Sequence, residues 1–321
     1  MKILIFNVGS ETLKYSIYEN KNLIKKETIY TRDFKIVKKI LQEAKPAFIV
    51  HRVVHGGEIS KPCFINKNII KEIEKYSKFA PLHNPYELEV IKLCKKYSKV
   101  KQIAVFDTSF FVDLPEKVKI YALPMKIIKK YGIRRYGFHG LNHEYIAKKF
   151  PDKNIVSCHL GAGCSIAAIS KGKALDISMG MTPLEGSIMV TRTGSIDPGI
   201  ILWLVEEFGL KKTKELLNFK SGLYGLTGLK DVKKIVDTRG KEQNALALEV
   251  FCYNVAKIIC SYQAALGNID LIIFSGGIGE ANKWIRNKIC NYLPFKFAIA
   301  VVKANEEEIM LEKAIELIKT S

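Results

Sequence analysis

The sequence predicts an α/β protein made of two related halves. Residues 3–18 and 155–168 share one pattern, in which a β-branched apolar run meets a glycine-centred turn and resumes as an alternating strand. The chain has 321 residues, 48% of them hydrophobic, which is enough to bury two domain cores. Strand and helix signals alternate after each copy of the pattern, so each half is expected to combine a sheet with helices.

The first half is expected to be a sheet with helices packed on it. Three short strands are predicted within residues 1–30, further strands at 47–54 and 102–106, and helices at 34–44, 66–76 and 85–96. The apolar strand 102–106 ends at Asp107. Strand-end residues of open α/β sheets face the ligand site, so Asp107 is a functional candidate.

The second half repeats this order. The strand–turn–strand pattern returns at residue 153 and continues to 174–179, followed by helices at 199–208 and 243–266. A strand at 271–274 enters the glycine-rich run 275–280, a helix begins near Ala281, and a last helix covers 306–319. A sheet with helices occurring twice is the architecture of two duplicated actin-like ATPase (ribonuclease H-like) domains with a central cleft.

The first glycine turn has the composition of a phosphate site. Gly9 allows the backbone to come close to an anion. Around it lie polar side chains that can complete such a site, namely Asn7, Ser10, Thr12 and Lys14. A Walker A loop is excluded, because the chain enters a strand rather than a helix after Lys14. The alternative is an ordinary hairpin turn with a solvated lysine.

The formal net charge of +19 raises the question of a nucleic-acid partner. The lysines are spread along the whole chain in short groups, without interleaved aromatic residues. We therefore predict no nucleic-acid partner, and only a modest attraction of anionic substrates.

Cysteine usage and hydropathy indicate a cytoplasmic protein. No apolar run approaches the roughly 20 residues that span a bilayer, so no membrane anchor or secretion signal is expected. The seven cysteines form no CxxC pair, which is typical of reduced thiols. Cys158, His159 and Cys164 are close in sequence, but strand alternation places the first two on opposite faces and argues against a metal site there.

A family resemblance extends along nearly the whole chain. Its motifs, in order, are FNVGSETLKY, HRVVHGGE, APLHNP, VFDTSF, IRRYGFHG, SCHLGAGCS, ISMGMTPLEGS, TRTGSIDP, SGLYGLTG, FSGGIGE and ANEEE. In this series the chain resembles the acetate kinase family. The resemblance implies reversible, ATP-dependent phosphorylation of acetate, giving acetyl phosphate and ADP by direct in-line transfer.

The resemblance also implies the catalytic residues. It places Arg52 on the substrate carboxylate, because the planar fork of guanidinium donors suits two carboxylate oxygens. It assigns Asp107 to orient the carboxylate nucleophile. His139 and Arg192 would neutralise the moving phosphoryl group. The competing interpretations are a strand-end ion pair for Arg52, a salt bridge to Asp197 for Arg192, and a packed core histidine for His139, although its flanking glycines favour close approach of a ligand.

Further binding residues follow from the same resemblance. The apolar pocket for the substrate methyl group comprises Val54, Leu82, Phe138 and Pro183. Asn7 and Glu306 would bind Mg²⁺, with Mn²⁺ as the alternative ion. The nucleotide and its phosphates would contact Ser10, Thr12, Lys14, His159, Leu160, Gly161, Ala162, Gly163, Asp231, Val232, Lys233, Gly277, Ile278, Gly279, Glu280 and Ala281.

The chain departs from the family pattern mainly on the nucleotide side. Ala162 stands where the family has Asn, and Leu229 to Lys233 replaces a segment with an aromatic residue and an Arg. The nucleotide base therefore stays open, as does pyrophosphate or phosphate in place of ATP. The chain is also shorter than typical members between Lys14 and Arg52 and between Glu280 and Glu306, which we interpret as trimmed peripheral elements.

The remaining expectations concern organisation. The first domain is expected to comprise 1–108 plus 306–321, on the substrate side, and the second 109–305, on the nucleotide side. By resemblance the protein is a homodimer. The alternatives are a propionate kinase, and a nucleotide-binding sensor on the same fold that has lost turnover. One methylene changes binding by about 1–3 kcal/mol, so the pocket residues do not separate acetate from propionate.

Overall fold

The computed structural model describes residues 1–9 and 12–321, so Ser10, a predicted phosphate-site residue, lies outside the described residues. The chain divides into two compact units. The first comprises Met1–Val112, Phe138–Tyr145 and Asn305–Ser321, and the second Asp113–Gly137 and Ile146–Ala304. Residues 138–145, expected in the second domain, thus belong to the first unit, because their backbone packs against the end of a first-unit strand.

In the part of the chain that the structure describes, eleven strands form two sheets. In chain order they are β1 (Lys2–Val8), β2 (Thr12–Glu19), β3 (Asn22–Tyr30), β4 (Phe48–Val53), β5 (Cys63–Phe64), β6 (Lys101–Phe106), β7 (Asn154–Leu160), β8 (Cys164–Ser170), β9 (Lys173–Ile177), β10 (Leu271–Ser275) and β11 (Ala298–Val301).

The helices connect and cover the strands. They are α1 (Val37–Ala44), α2 (Lys67–Tyr76), α3 (Asn84–Tyr97), α4 (Glu116–Lys119), α5 (Met125–Tyr131), α6 (Gly140–Lys149), α7 (Pro198–Phe219), α8 (Gly222–Thr227), α9 (Val232–Asp237), α10 (Glu242–Ser261), α11 (Gln263–Leu266), α12 (Gly276–Ala281), α13 (Lys283–Asn291) and α14 (Glu306–Lys319). Single 3₁₀ turns lie at Phe34–Ile36 and Asp107–Phe111.

The two sheets repeat one strand order. In the first unit the order is β3-β2-β1-β4-β6-β5, and in the second β9-β8-β7-β10-β11. In each, an antiparallel meander of three strands is extended by two parallel ones. The duplication predicted from the two similar segments is thereby confirmed.

The core of the first unit lies between its sheet and two helices. Apolar side chains of β1, among them Leu4 and Phe6, pack with Phe34 and with Val37 and Leu41 of α1. Helix α3 contacts both β1 and β4, and α14 contacts β1, β4 and β6. The C-terminal helix therefore returns to the sheet on which the chain began.

One helix boundary differs from the sequence prediction. Helix α12 begins at Gly276 rather than near Ala281, because Gly276 takes a φ of 76° and turns the chain directly into a helix. The range of α7 contains two helical stretches that meet at Gly209, whose φ of 76° and ψ of 157° are not helical, so the predicted helix end at 208 is confirmed.

One stretch, Glu242–Leu266, is long and apolar enough to cross a membrane by length and composition alone. This finding is contrary to the expectation that no apolar run approaches the length that spans a bilayer. One face of α10 is buried, including Leu248, Phe251 and Val255, and the helix contacts β8 and α13. The core helix of a globular domain can have the same length and composition, so this stretch is weak evidence for a membrane span.

Candidate active site

The carboxyl ends of three neighbouring strands bring polar side chains together. Because β1, β4 and β6 run parallel, Asn7, Arg52 and Asp107 lie at one edge of the sheet. Arg52 donates to Asp107 Oδ2 from Nη2 at 2.8 Å and from Nε at 3.2 Å, and Nη1 donates to Asn7 Oδ1 at 3.2 Å. Glu306, at the start of α14, places Oε1 3.9 Å from Arg52 Nη1. Four predicted site residues therefore form one cluster.

Asn7 and Asp107 are buried and Arg52 and Glu306 are partly buried, and this burial shapes the electrostatics of the cluster. Asp107 is 1% exposed, and burial raises the pKa of its carboxyl, while the Arg52 guanidinium opposes that rise. Burial acts to lower the pKa of Arg52, but the charges of Asp107 and Glu306 outweigh it and raise that pKa. Since the direct ion pair stabilises both charges, we assign Asp107 as a carboxylate and Arg52 as a cation at neutral pH.

The segment that carries His139 packs on Asp107. His139 has a φ of 57°, a left-handed conformation uncommon outside glycine, and α6 begins directly after it. The Leu141 amide donates to Asp107 Oδ1 at 3.4 Å. A Cβ at Gly140 would lie 1.9 Å from the Asp107 carbonyl oxygen. The glycine therefore permits contact with protein backbone, whereas the sequence pattern attributed the glycines around His139 to ligand approach.

The predicted apolar pocket is divided between the two units. Val54 and Phe138 are buried in the first unit, where Phe138 packs edge-on against His55 with ring centroids 5.3 Å apart. Leu82 is half-buried in the turn before α3. Pro183 belongs to the second unit.

The first glycine turn joins β1 to β2. Asn7 pairs with Lys14 across the hairpin, so the two side chains share one face of the sheet. The Gly9 amide donates to the Thr12 carbonyl at 2.8 Å and closes the turn. Lys14 is exposed, and Thr12 is half-buried. The predicted hairpin is confirmed, and it places a positive charge beside Asn7.

The second glycine turn joins β7 to β8 in the same way. Its register pairs Leu160 with Cys164, and the Gly161 amide donates to the Gly163 carbonyl at 2.8 Å. The Ala162 carbonyl accepts from the Val190 amide at 3.3 Å. The turn is thus tied to the loop that carries Arg192.

The end of β10 lies beside the second glycine turn. His159 Nδ1 is 3.4 Å from Ser275 Oγ, and both residues are buried. A Cβ at Gly276 would lie 2.7 Å from the Leu160 carbonyl oxygen, so the glycine lets α12 start against the end of β7. The predicted nucleotide residues 159–163 and 277–281 are therefore neighbours within the second unit.

Two predicted nucleotide residues use their carboxylates for structural bonds. Glu280 Oε1 accepts from the Gly276 amide at 2.9 Å and from the Ala304 amide at 2.8 Å. Asp231 is the N-cap of α9 and accepts from the Lys233 amide at 2.9 Å. Both side chains therefore fix the local backbone.

Arg192 is a buried cation. It is 7% exposed, and its Nη1 donates to the Pro183 carbonyl at 2.8 Å. Burial lowers its pKa to about 10, with Cys164 acting in the opposite direction. Within the described part of the chain no carboxylate pairs with Arg192. Asp197 instead accepts from the Gly199 amide at the start of α7. A buried guanidinium of this kind favours an anionic ligand.

Sequence reasoning missed two buried polar residues of α3. Glu87 Oε2 accepts from the Val54 amide at 3.1 Å, and Asn84 Oδ1 accepts from the His55 amide at 3.0 Å. The available signal was helical spacing, since both residues lie on the same buried face as Leu88 and the following apolar positions. A polar residue on such a face usually holds a neighbouring segment.

The chain is similar to proteins of one known family along nearly its whole length. The model of the family described as "Acetokinase family" matches residues 26–313. An acetate kinase of Carboxydothermus hydrogenoformans is 35% identical over 395 residues, which cover 99% of each chain.

Two solved structures resemble the chain along its length. A propionate kinase from Francisella tularensis has a TM-score of 0.88 and 32% identity, covering 97% of this chain and 98% of that one. An acetate kinase from Porphyromonas gingivalis has a TM-score of 0.84 and 31% identity, covering 99% of each. These matches confirm the predicted class of two duplicated actin-like ATPase domains.

Proposed function

This chain belongs to the acetokinase family, and we propose on that premise that it is an acetate kinase, a phosphotransferase that moves a phosphoryl group reversibly from ATP to acetate. The observation that carries the proposal is the partly buried Arg52–Asp107 pair, with Nη2 and Oδ2 2.8 Å apart, flanked by Asn7 and Glu306. A fixed cation among oxygen donors suits an anionic acceptor and a phosphoryl group.

Arg52 retains donors for the substrate. A guanidinium has five N–H groups, and protein oxygens of Asp107 and Asn7 accept from three of them. One N–H on each terminal nitrogen is left for the two oxygens of acetate. Asp107 holds the other edge of the guanidinium, and so fixes the direction in which this fork points.

The chemistry needs charge neutralisation more than proton transfer. Acetate is ionised near neutral pH, so an oxygen lone pair forms the new bond to phosphorus directly. The bond from phosphorus to the bridging oxygen breaks, and its electron pair leaves with ADP. We assign His139 and Arg192 to the oxygens of the transferring group, and Asp107 to orientation of Arg52 and the acceptor.

The second unit supplies the proposed nucleotide site. The β7–β8 turn and the start of α12 bring residues 159–163 and 277–281 together, where backbone amides at glycines can approach phosphate closely. Glu280 contributes by fixing Gly276. The altered segment 229–233 makes the preferred base a matter for experiment.

Asn7 and Glu306 fit a divalent cation. Their side-chain oxygens both approach Arg52 Nη1, at 3.2 and 3.9 Å, so an amide oxygen and a carboxylate oxygen are held in one place. Hard oxygen donors of this type, completed by phosphate oxygens and water, are what Mg²⁺ prefers. When bound, Mg²⁺ supplies positive charge against the phosphates.

An exposed apolar face on α7 supports the proposed homodimer. Only Thr213 and Leu217 of this 22-residue helix are buried, whereas Leu202 is 67% and Trp203 55% exposed. Apolar patches of this kind mark protein interfaces. Trp203→Glu should yield monomers in light scattering, with Lys211→Gln, which lowers the net charge by the same one unit at an exposed position, as the control. A monomeric wild type would contradict the dimer.

We also propose a cytoplasmic location. All seven cysteines lie in the described part of the chain and are free thiols, four of them buried. Such usage is typical of a reducing compartment.

The decisive experiment is a substrate panel. Acetate and propionate are each offered with ATP, GTP and pyrophosphate, and acyl phosphate is trapped as the hydroxamate. We expect the largest kcat/KM with acetate and ATP. A higher value with propionate would favour the second candidate, the activity named for the Francisella tularensis structure. Turnover with pyrophosphate alone would overturn the nucleotide assignment.

Two variants separate an enzyme from a sensor. Asp107→Ala and Arg192→Ala should each lower kcat at least about 100-fold, because each substitution removes a charged side chain that is proposed to act on the reacting groups. A wild type that binds nucleotide but forms no more acyl phosphate than either variant would favour the sensor.

A further inference from the structure

Helix α3 holds the chain immediately after the strand that carries Arg52. The Val54 amide donates to Glu87 Oε2 at 3.1 Å, and the His55 amide donates to Asn84 Oδ1 at 3.0 Å. Asn84 Nδ2 returns a bond to the His55 carbonyl at 2.9 Å. Two consecutive residues beyond β4 are thus clamped by the first turn of one helix.

Glu87 is an unusual member of this clamp because it is ionisable and 1% exposed. Its Oε2 accepts the Val54 bond, and among the described residues its Oε1 has no hydrogen-bond partner. Burial raises the pKa of Glu87 to about 8; the Val54 amide and Arg52 act to lower it, and Asp107 acts to raise it. Such an environment favours the un-ionised form of a carboxyl at neutral pH.

The charges around Arg52 explain why the protonation state of Glu87 matters for the site. Arg52 already faces Asp107 at 2.8 Å and Glu306 at 3.9 Å. An ionised Glu87 would add a further negative charge within the range at which Arg52 and Asp107 influence its pKa. That charge would repel an anionic acceptor.

We propose that Glu87 is a positioning residue of the carboxylate site, holding the Val54 backbone with an un-ionised carboxyl that adds no charge beside the Arg52–Asp107 pair. This inference rests on the proposed function for its kinetic consequence. It predicts that acceptor binding weakens when Glu87 loses its proton.

The groups that could obscure this effect are identifiable. Arg52 and Asp107 act on Glu87 directly. The ring of His55 stacks on Tyr76 of α2, with centroids 4.6 Å apart, in the same region. All four are retained when Glu87 alone is replaced, so a comparison of variants isolates its titration.

The kinetic test uses Glu87→Gln, Glu87→Ala and, as a control on the same helix, exposed Glu89→Gln. KM for acetate and kcat are measured separately from about pH 6.5 to about pH 9.5. In wild type and Glu89→Gln we expect KM to rise about fivefold as pH passes about 8, with little change in kcat. In Glu87→Gln we expect a flat KM near the neutral wild-type value. A wild-type slope retained in Glu87→Gln would overturn the inference.

The positioning role has its own comparison. Glu87→Ala removes the acceptor of the Val54 amide and should raise KM about tenfold at neutral pH, whereas Glu87→Gln, which keeps an acceptor, should restore it. Equal KM values for the two variants would overturn this role.

A measurement without turnover keeps the inference separate from the proposed function. At neutral pH, the infrared difference spectrum of wild type minus Glu87→Gln should contain the carbonyl band of an un-ionised carboxyl. Absence of that band would refute the un-ionised state even in an active enzyme. Its presence in a protein that forms no acyl phosphate would refute the activity and leave the un-ionised state established.

Discussion

Gly140→Ala should strongly lower kcat/KM for acetate, because the added methyl group displaces the backbone. The added Cβ would lie 1.9 Å from the Asp107 carbonyl oxygen, and contacts under 3.0 Å essentially never occur for real side chains. The backbone at Asp107 or Gly140 must therefore move by about 1 Å. A displacement of that size at a reacting group costs about 100-fold in rate.

The structure shows how this displacement would spread. Asp107 holds Arg52 through bonds of 2.8 and 3.2 Å and accepts from the Leu141 amide at 3.4 Å. Moving Asp107 therefore turns the guanidinium fork away from its substrate direction. Overpacking of this kind costs about 1–3 kcal/mol of stability, which a folded domain can tolerate.

The assay is kcat/KM for acetate, with circular dichroism and urea unfolding to verify the fold. Gly240→Ala is the matched control, because a Cβ there meets nothing within 4 Å. We expect a loss of about 100-fold for Gly140→Ala and wild-type activity for the control. A folded Gly140→Ala protein with kcat/KM within about threefold of wild type would refute the proposed link between Gly140, Asp107 and Arg52.

Three further predictions concern the same unit and the dimer face. Arg52→Lys should raise KM for acetate about 10- to 100-fold, because an ammonium lacks the planar fork; an unchanged KM would remove Arg52 from the acceptor site. Glu87→Gln should gain stability over wild type as pH rises from about 4.5 to about 8, by at most about 1.4 kcal/mol per unit, since folded Glu87 retains a proton that the unfolded chain releases. Urea unfolding at both ends of that window checks the sign, and a difference independent of pH would contradict it. Trp203→Glu should leave kcat/KM within about threefold of wild type at the same protein concentration, because the Arg52–Asp107 pair lies within one chain. A larger loss of kcat/KM would show that the dimer contributes to the chemistry.

Local pattern was sufficient for most of the secondary structure. The last helix was predicted at 306–319 and lies at Glu306–Lys319, and the strand predicted at 102–106 lies at Lys101–Phe106. One error falls at a glycine. Gly276 adopts a φ of 76° at the start of α12, so this helix begins before the predicted position at Ala281, whereas Gly209, with the same φ, interrupts α7 where the sequence predicted the helix end.

The predicted site residues also differ in how far local sequence pattern could indicate their positions. The family motifs indicated Arg52, Asp107, Asn7 and Glu306, which the structure places in one partly buried cluster. Glu280 and Asp231 were predicted to contact the nucleotide, which stays a prediction; in the structure their carboxylates accept from backbone amides. No pattern local to Glu87 could indicate a bond to Val54, since the partners are 33 residues apart.

The sequence by itself determined the duplicated architecture and the identity of the charged groups, because hydrophobic period and glycine turns are local properties of the chain. Only the tertiary structure decided which oxygens surround Arg52, how closely Gly140 approaches Asp107 and that the Glu87 carboxyl is buried. Those properties depend on distances between segments and on burial, and both arise when the strands and helices pack together.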